Sequence, residues 1–180
     1  MSTRKINRST ESNIPRLAFI AVSLVAIALF LYRNISHKIA FENRDYLSAV
    51  VSTTLVELAN DSREQSGLPA LVSSPILEQI AQSKANDMAE KSYFAHNTPD
   101  GKTPWYWFES AGYKYLYAGE NLAVDFDESF NVNDAWLNSP THRANMMYPN
   151  FTEIGIAVAA GTYNGRDTTF VVQVFGTPAN

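Results

Sequence analysis

The chain has 180 residues, contains no cysteine and carries a formal net charge of −4 at pH 7. Disulfide bonds and Cys-ligated zinc sites are therefore excluded, and a chain of this length can bury an adequate core without them. The charge is uneven: residues 1–43 carry six Lys/Arg against two Glu, a net of +4, whereas residues 44–180 carry eight Lys/Arg against sixteen Asp/Glu, a net of −8. An acidic domain repels phosphate backbones, so nucleic acid is not an expected partner.

The first predicted element is a transmembrane helix at residues 17–32, which read LAFIAVSLVAIALFLY and contain no charged residue. As a helix it spans roughly 24 Å, short of the ~30 Å hydrocarbon core, but Arg16 and Arg33 can reach the two interfaces. The basic residues 1–16 are expected in the cytoplasm by the positive-inside rule. A short linker at residues 33–43 then leads to one domain outside the cell membrane, at residues 44–180.

Two other interpretations of this segment remain open. A cleaved signal peptide has an apolar region of similar length, but the small-x-small site at residues 26–28 lies inside the apolar run and not at its end. A buried core helix would also be apolar on all sides. The position of the small-x-small site favours an uncleaved signal-anchor, and the protein is then a single-pass membrane protein that contacts the bilayer through residues 17–32.

The domain opens with helices. Apolar residues recur at offsets of three and four from about residue 45 to residue 65, which predicts a first helix that Gly67 caps and Pro69 ends. Ser74 and Pro75 predict the N-cap and first turn of a second helix. Further short helices are predicted at residues 104–110, at residues 128–137 and from residue 139 onwards.

The C-terminal part of the sequence changes to a period of two. Residues 154–158 and 170–175 are two mainly apolar runs separated by a polar turn at residues 161–167, which predicts an antiparallel hairpin of buried strands. Residues 113–117 are a candidate third strand. Helices first and strands last, without a βαβ rhythm, indicate an α+β fold.

Two histidines and one glutamate are the candidates for chemistry. His96 lies in a predicted loop after the second helix, His142 lies in the first turn of a later helix, and Glu120 lies in the sequence Ala-Gly-Glu-Asn-Leu. A glutamate beside two imidazoles can titrate near neutrality or hold a divalent metal. Their spacing forms no short-range metal motif, so spacing alone favours hydrogen-bonded structural histidines.

Five sequence segments carry a family resemblance. They are residues 55–63 with Gly-Leu-Pro-Ala-Leu at 67–71; Phe-Ala-His at 94–96 with Asp-Gly at 100–101; Gly-Glu-Asn-Leu-Ala at 119–123; Trp-Leu-Asn-Ser-Pro-Thr-His-Arg-Ala-Asn at 136–145; and Phe-Thr-Glu-Ile-Gly at 151–155 with Val-Gln-Val-Phe-Gly at 172–176. In this order they resemble the CAP superfamily (cysteine-rich secretory, antigen 5 and pathogenesis-related proteins), and in particular its cysteine-free bacterial branch. The resemblance covers about residues 45–176 and implies an α-β-α sandwich with a central antiparallel sheet.

The resemblance also implies a surface cleft that contains two histidines and two glutamates. By motif match the histidines are His96 and His142, and the first glutamate is Glu120. The two histidines would be the ligands of a divalent metal, for which Zn²⁺ is the candidate.

The second glutamate is a departure from the family pattern, because Ser139 occupies its position. Asp134 and Glu153 are the nearest acidic substitutes, and Glu153 is the preferred one. Asn121 has a short side chain that can tie loop backbone groups together. Arg143 can pair with an acidic cleft residue, and the equally open alternative is a solvated surface arginine.

The expected function is a membrane-anchored extracytoplasmic binding module for a lipid, an envelope glycan or a protein, with a His/Glu cleft able to hold a metal. One alternative is a zinc-dependent hydrolase in which His96 and His142 hold the metal and Glu120 is the general base. A non-catalytic structural envelope protein is the other. Catalysis is the lesser expectation, because the sequence has no cysteine and no serine in a Gly-x-Ser-x-Gly elbow.

Overall fold

A computed structural model describes residues 24–25, 27–33, 35, 51–126 and 128–179 of two compact units, Met1–Arg44 and Asp45–Asn180. In the first unit the described residues are helical and exposed. Among the described residues, no helix has the length and apolar character needed to cross a membrane. Residues 17–23 and 26 of the predicted transmembrane helix lie outside the described residues, as do residues 34 and 36–43 of the predicted linker.

The second unit contains all the helices predicted for the domain, and its three long strands extend beyond the predicted runs. The described helices are α1 at residues 51–65, α2 at Pro75–Lys91, α3 at Trp105–Ser110, α4 at Ser129–Asn138 and α5 at Pro140–Met146, and the strands are β1 at Val72–Ser73, β2 at Tyr115–Val124, β3 at Glu153–Tyr163 and β4 at Arg166–Pro178. The candidate strand at residues 113–117 overlaps only the beginning of β2. Because β2 continues to Val124, it carries Glu120.

The sheet is mixed, with strand order β1-β3-β4-β2. Strand β4 pairs antiparallel with both β2 and β3, but β1 pairs parallel with β3, where Val72 lies opposite Glu153 and Ser73 opposite Ile154. The expected purely antiparallel sheet is therefore wrong at this edge. A strand of two residues is too short to show an alternating pattern in the sequence, so no periodicity indicated it.

Two apolar cores lie on the two faces of the sheet. One core consists of α1, α4 and α5 packed on residues such as Ile154, Ile156, Val171 and Phe175, and the other consists of α2 and α3 packed on residues such as Ala157, Phe170, Val172 and Val174. Alternate residues of β4 enter different cores, as the two-residue period of a strand requires. Helices thus cover both faces, which gives the expected three layers.

The end of α1 follows the predicted Gly67 cap. Gly67 has a φ of +74°. Its N–H donates to the carbonyl of Glu64 at 2.9 Å, and the N–H of Leu68 donates to the carbonyl of Arg63 at 2.9 Å. These two bonds form a Schellman motif, and the left-handed conformation explains why glycine stands at this position.

Ser74 occupies the predicted N-cap position of α2, but its side chain makes no capping hydrogen bond. The backbone N–H of Ser74 donates to the carbonyl of Ile154 at 2.9 Å, and its carbonyl accepts from the N–H of Glu78 at 2.9 Å. The predicted N-cap position is therefore confirmed, and Ser74 joins β1 to α2 through its backbone alone.

Strand β2 is an edge strand whose two faces carry different chemistry. Leu122 enters the core beneath α2, whereas Ala123 enters the core beneath α1, α4 and α5, so Glu120 faces α2 and Asn121 faces the opposite side. The β2–β4 register shifts between Tyr115 and Tyr117 and is then continuous to Val124. The direction of Glu120 is set by this register.

Two helix side chains cover the backbone of this edge strand. The side-chain amide of Asn145 donates to the carbonyl of Glu120 at 3.0 Å, and the indole N–H of Trp136 donates to the carbonyl of Leu122 at 3.0 Å. Carbonyl groups at a sheet edge otherwise attract strands of other chains. Asn145 and Trp136 thus protect β2 and also fix its position against α4 and α5.

The contact between α2 and β3 predicts that Gly155→Ala destabilises the domain strongly. A methyl group at residue 155 would fall on the backbone of Leu77 and Glu78 at the start of α2, so the helix would have to move away from the sheet. We expect the free energy of unfolding to drop by about 3 kcal/mol or more in chemical denaturation.

The matched control for this variant is Gly165→Ala. Gly165 has a φ of +76° and nothing within 4 Å of the added methyl group, so only backbone strain of about 1 kcal/mol is expected. Equal losses in the two variants would contradict the close α2–β3 contact.

Candidate functional site

His96 and Glu120 are in direct contact. The Nδ1 atom of His96 lies 2.7 Å from Oε1 of Glu120, and the side chains are 53% and 3% exposed, respectively. Strand β2 presents Glu120 on the α2 face of the sheet, and the loop after α2 brings His96 to it. A buried carboxylate therefore orients an exposed imidazole, whose Nε2 is left as the ring nitrogen available to a ligand.

A buried lysine holds the loop that carries His96. The Nζ atom of Lys84 donates to the carbonyls of Ala95 and His96, both at 2.8 Å, and to the hydroxyl of Tyr93 at 3.0 Å. These three acceptors satisfy all three ammonium donors. Burial lowers the pKa of Lys84, and the negative charge of Glu120 acts in the opposite direction.

The sequence interpretation did not identify Lys84, although a signal was present. The buried residues of α2 follow the spacing of one helix face: Leu77, Ile80, Ala81, Lys84, Ala85 and Met88. A lysine in the middle of an apolar face is unusual, because buried ammonium groups require partners. That position therefore indicated a buried polar contact.

A network of amide side chains ties α5 to β2. The side-chain N–H groups of Asn121 donate to the backbone carbonyl of His142 at 3.2 Å and to Oε1 of Gln173 at 2.9 Å. Asn145 donates to the side-chain oxygen of Asn121 at 2.9 Å as well as to the carbonyl of Glu120. The first turn of α5, which carries His142, is thus fixed beside the strand that carries Glu120.

His142 lies within electrostatic reach of His96. Burial lowers the pKa of His142, and the positive charge of His96 lowers it further. His142 is therefore neutral at neutral pH. His96 belongs to the loop after α2, and His142 belongs to the first turn of α5, whose backbone is tied to β2 by Asn121.

Glu153, the preferred substitute for the second glutamate, is engaged elsewhere. Its Oε2 accepts a hydrogen bond from the hydroxyl of Tyr113 at 2.8 Å, and burial together with this carboxylate raises the pKa of Tyr113. None of the contacts between described residues joins Glu153 to His96 or His142.

The two other positions singled out near the second histidine are an exposed arginine and a half-buried serine. Arg143 is exposed and forms no ion pair within the part of the chain that the structure describes, while the hydroxyl of Ser139 lies 3.3 Å from that of Thr141. The described geometry thus places Arg143 in solvent and not against an acidic cleft residue.

The model of the cysteine-rich secretory protein family, CAP, matches residues 56–175. The chain belongs to this family. The resemblance drawn from the five sequence segments is therefore confirmed, and the absence of cysteine agrees with a cysteine-free bacterial branch. The matched residues contain His96, Glu120 and His142.

Two relatives come from Bacillus subtilis (strain 168). The protein YkwD is 40% identical to this CAP chain over 102 residues, which are 57% of this chain and 40% of YkwD. The membrane protein YlbC is 27% identical over 104 residues, which are 58% of this chain and 30% of YlbC. The CAP chain thus spans less than half the length of either relative.

Two solved structures have a similar fold. An extracellular protein with an SCP domain from Bacillus anthracis str. Ames is 26% identical, has a TM-score of 0.62, and the match covers 72% of this CAP chain and 41% of that protein. An outer surface protein from Borrelia burgdorferi is 23% identical with a TM-score of 0.62, and the match covers 71% of this chain and 92% of that protein.

The geometry of this CAP domain does not fit the expected zinc ion. The described residues contain no group of three His, Asp or Glu side chains that could hold a metal. Glu120 is buried against Nδ1 of His96, and Glu153 is bound by Tyr113. His96 and His142 alone fall short of the three protein ligands of a catalytic zinc site and the four of a structural one.

The lowered pKa of His142 predicts how the stability of the CAP domain depends on pH. The unfolded chain binds a proton to this histidine near the ordinary value of 6.5, and the folded chain binds it only at lower pH. The stabilisation is therefore fully present above pH 6.5 and is lost as the pH falls from 6.5 through the folded pKa. In thermal melts between pH 7.5 and pH 5, His142→Asn should lose less stability than the unsubstituted chain.

His37→Asn is the control for this pH series, since His37 belongs to the first unit. It should follow the unsubstituted chain at every pH. A His142→Asn variant with the same pH dependence as the unsubstituted chain would contradict the assignment of the effect to His142.

Proposed function

We propose that the chain is a membrane-anchored, extracytoplasmic CAP module that binds a ligand at the His96–Glu120 pair and His142, and that it is not an enzyme. The observation that carries this proposal is a 53% exposed imidazole held by a 3% exposed carboxylate. Such a ring is already oriented before a ligand arrives, so binding costs little side-chain entropy. His142 offers a second imidazole from the other side of the same strand.

An envelope glycan is the ligand class that these residues favour over a lipid or a protein. Imidazole nitrogens can exchange hydrogen bonds with sugar hydroxyls. The net charge of −8 on residues 44–180 disfavours anionic lipid headgroups.

An aromatic ladder beside the network adds a surface on which a sugar ring can pack. Tyr117 is 41% exposed and its ring centroid lies 5.5 Å from that of Tyr148, which in turn lies 4.8 Å from Phe151. A methyl group added at Gly119, next to Glu120 in the sequence, would clash with the ring of Phe151, so this ring lies directly against β2. The ladder therefore supports Tyr117 rigidly, close to the strand that carries the site.

A hydrolase is the second candidate function, because a carboxylate that orients a histidine is also how general bases are held. The described residues supply neither a third metal ligand nor a serine paired with His96 or His142, since the hydroxyl of Ser139 contacts Thr141.

The third candidate, a purely structural envelope protein, is disfavoured for a different reason. Burying Lys84 and Glu120 beside an exposed histidine adds polar groups that an apolar core would not need.

Purified peptidoglycan sacculi are the first probe of ligand binding. The full-length chain should sediment with sacculi, and His96→Asn should weaken this binding at least about tenfold, because a hydrogen-bonding group is lost. Tyr117→Ala should weaken it as well, whereas His37→Asn should not.

Vesicles of zwitterionic and of anionic lipids, added to a chain lacking residues 1–35, separate the glycan from a lipid ligand. If the chain binds vesicles and this binding depends on His96, the ligand is a lipid and not a glycan. If the chain steadily releases soluble glycan fragments from sacculi, and His96→Asn abolishes this release, the hydrolase is favoured. Sacculus binding that is unchanged in His96→Asn would end the proposal.

The proposed topology rests on the basic residues 1–16, and the names of two relatives support it: YlbC is a membrane protein and the Bacillus anthracis relative is extracellular. Protease added to intact spheroplasts should digest the CAP domain and leave a membrane-bound fragment containing residues 17–32. A domain that is digested only after the membrane is permeabilised would contradict this topology. An N-terminus that begins after residue 28 would indicate a cleaved signal peptide.

A further inference from the structure

Lys84 occupies a position where burial of a charged side chain is energetically costly. Its side chain is completely buried on the face of α2 that otherwise packs apolar residues against the sheet. An ammonium group in such a place is stable only when protein groups replace its hydration. Lys84 thus requires the backbone around it to turn carbonyl groups toward Nζ.

The carbonyls that Lys84 binds belong to the two peptide groups that flank the Cα atom of His96. The carbonyl of Ala95 is part of the peptide before His96, and the carbonyl of His96 is part of the peptide after it; each accepts from Nζ at 2.8 Å. Because peptide groups are planar, holding both of them fixes the two backbone dihedral angles of His96. The direction in which its side chain leaves the backbone is then fixed as well.

The third acceptor of Lys84 connects the lysine back to its own helix. Ser92 ends α2 with a φ of +52°, and the chain then turns back so that Tyr93 accepts from Lys84 at 3.0 Å. The Tyr93 hydroxyl donates to Oδ2 of Asp87 at 2.6 Å. Tyr93 therefore links the ammonium group of Lys84 to the carboxylate of Asp87, which also belongs to α2.

We propose that Lys84 is the positioning residue of the binding site, which aims the imidazole of His96 at Glu120 by holding both peptide groups of His96. This inference deepens the proposed function and rests on it. Lys84 itself contacts neither the imidazole nor the ligand. Its removal therefore acts on the site only through the loop backbone.

Lys84→Met tests the proposal, because methionine fills a similar volume but has no donors. The first measurement is the ¹⁵N spectrum of the His96 ring, in which a proton on Nδ1 bound to a carboxylate gives a distinct signature. The full-length Lys84→Met chain should melt cooperatively, lose this signature and bind sacculi at least about tenfold more weakly. Lys84→Arg should restore part of both, since a guanidinium group also donates to carbonyls.

Lys114→Met is the matched control, because Lys114 is exposed and its substitution should leave both measurements unchanged. If Lys84→Met does not fold, Lys84→Gln keeps two donors and is read in the same way. A folded Lys84→Met chain, or Lys84→Gln if Lys84→Met does not fold, whose His96 signature and sacculus binding both match the unsubstituted chain overturns the proposal. A lost signature in a chain that never bound sacculi would leave the positioning role intact and refute the proposed function alone.

Discussion

The ammonium group of Lys84 must be solvated by the protein, and the arrangement of the site follows from that requirement. A buried cation beneath α2 draws in the carbonyls of Ala95 and His96, so the loop after α2 folds over the helix with its backbone facing inward. The side chain of His96 is consequently directed toward the edge of the sheet. There β2 supplies Glu120, whose negative charge also compensates the positive charge of Lys84.

On the opposite face of the sheet, below α5, the elements are joined by amide side chains and not by charged ones. Asn121, Asn145 and Gln173 connect β2, α5 and β4, and they hold the backbone of His142 beside that of Glu120. Amide groups can donate and accept at once, so a few of them suffice to join three elements. The proposed site thus lies at an edge strand that carries a different hydrogen-bond network on each face.

Much of the fold could be predicted from the sequence, because the signals were local. Period 3.6 identified the helices, period 2 identified the hairpin, and Gly67 marked the end of α1. Strand β1 could not be predicted, since two residues contain no period. Glu153 was close to the cleft motifs in sequence, yet the sheet register places it opposite Gly176, where Tyr113 binds it. Such a partner depends on strand pairing that the sequence does not show directly.

The irregular pairing at the start of β2 determines which chemistry each face of the domain carries. After the shift between Tyr115 and Tyr117, the strand runs in continuous register with β4, and Glu120 lies opposite Val174. Moving this stretch by one residue would exchange the directions of Glu120 and Asn121, so that the carboxylate would enter the amide network and the amide would meet His96. We therefore expect insertions and deletions to be tolerated in the loop before β2, whereas a change of one residue beyond Tyr117 would exchange the two faces of the strand. Over evolutionary time, length variation among related chains should accumulate in the loop before β2 and be purged from the strand itself.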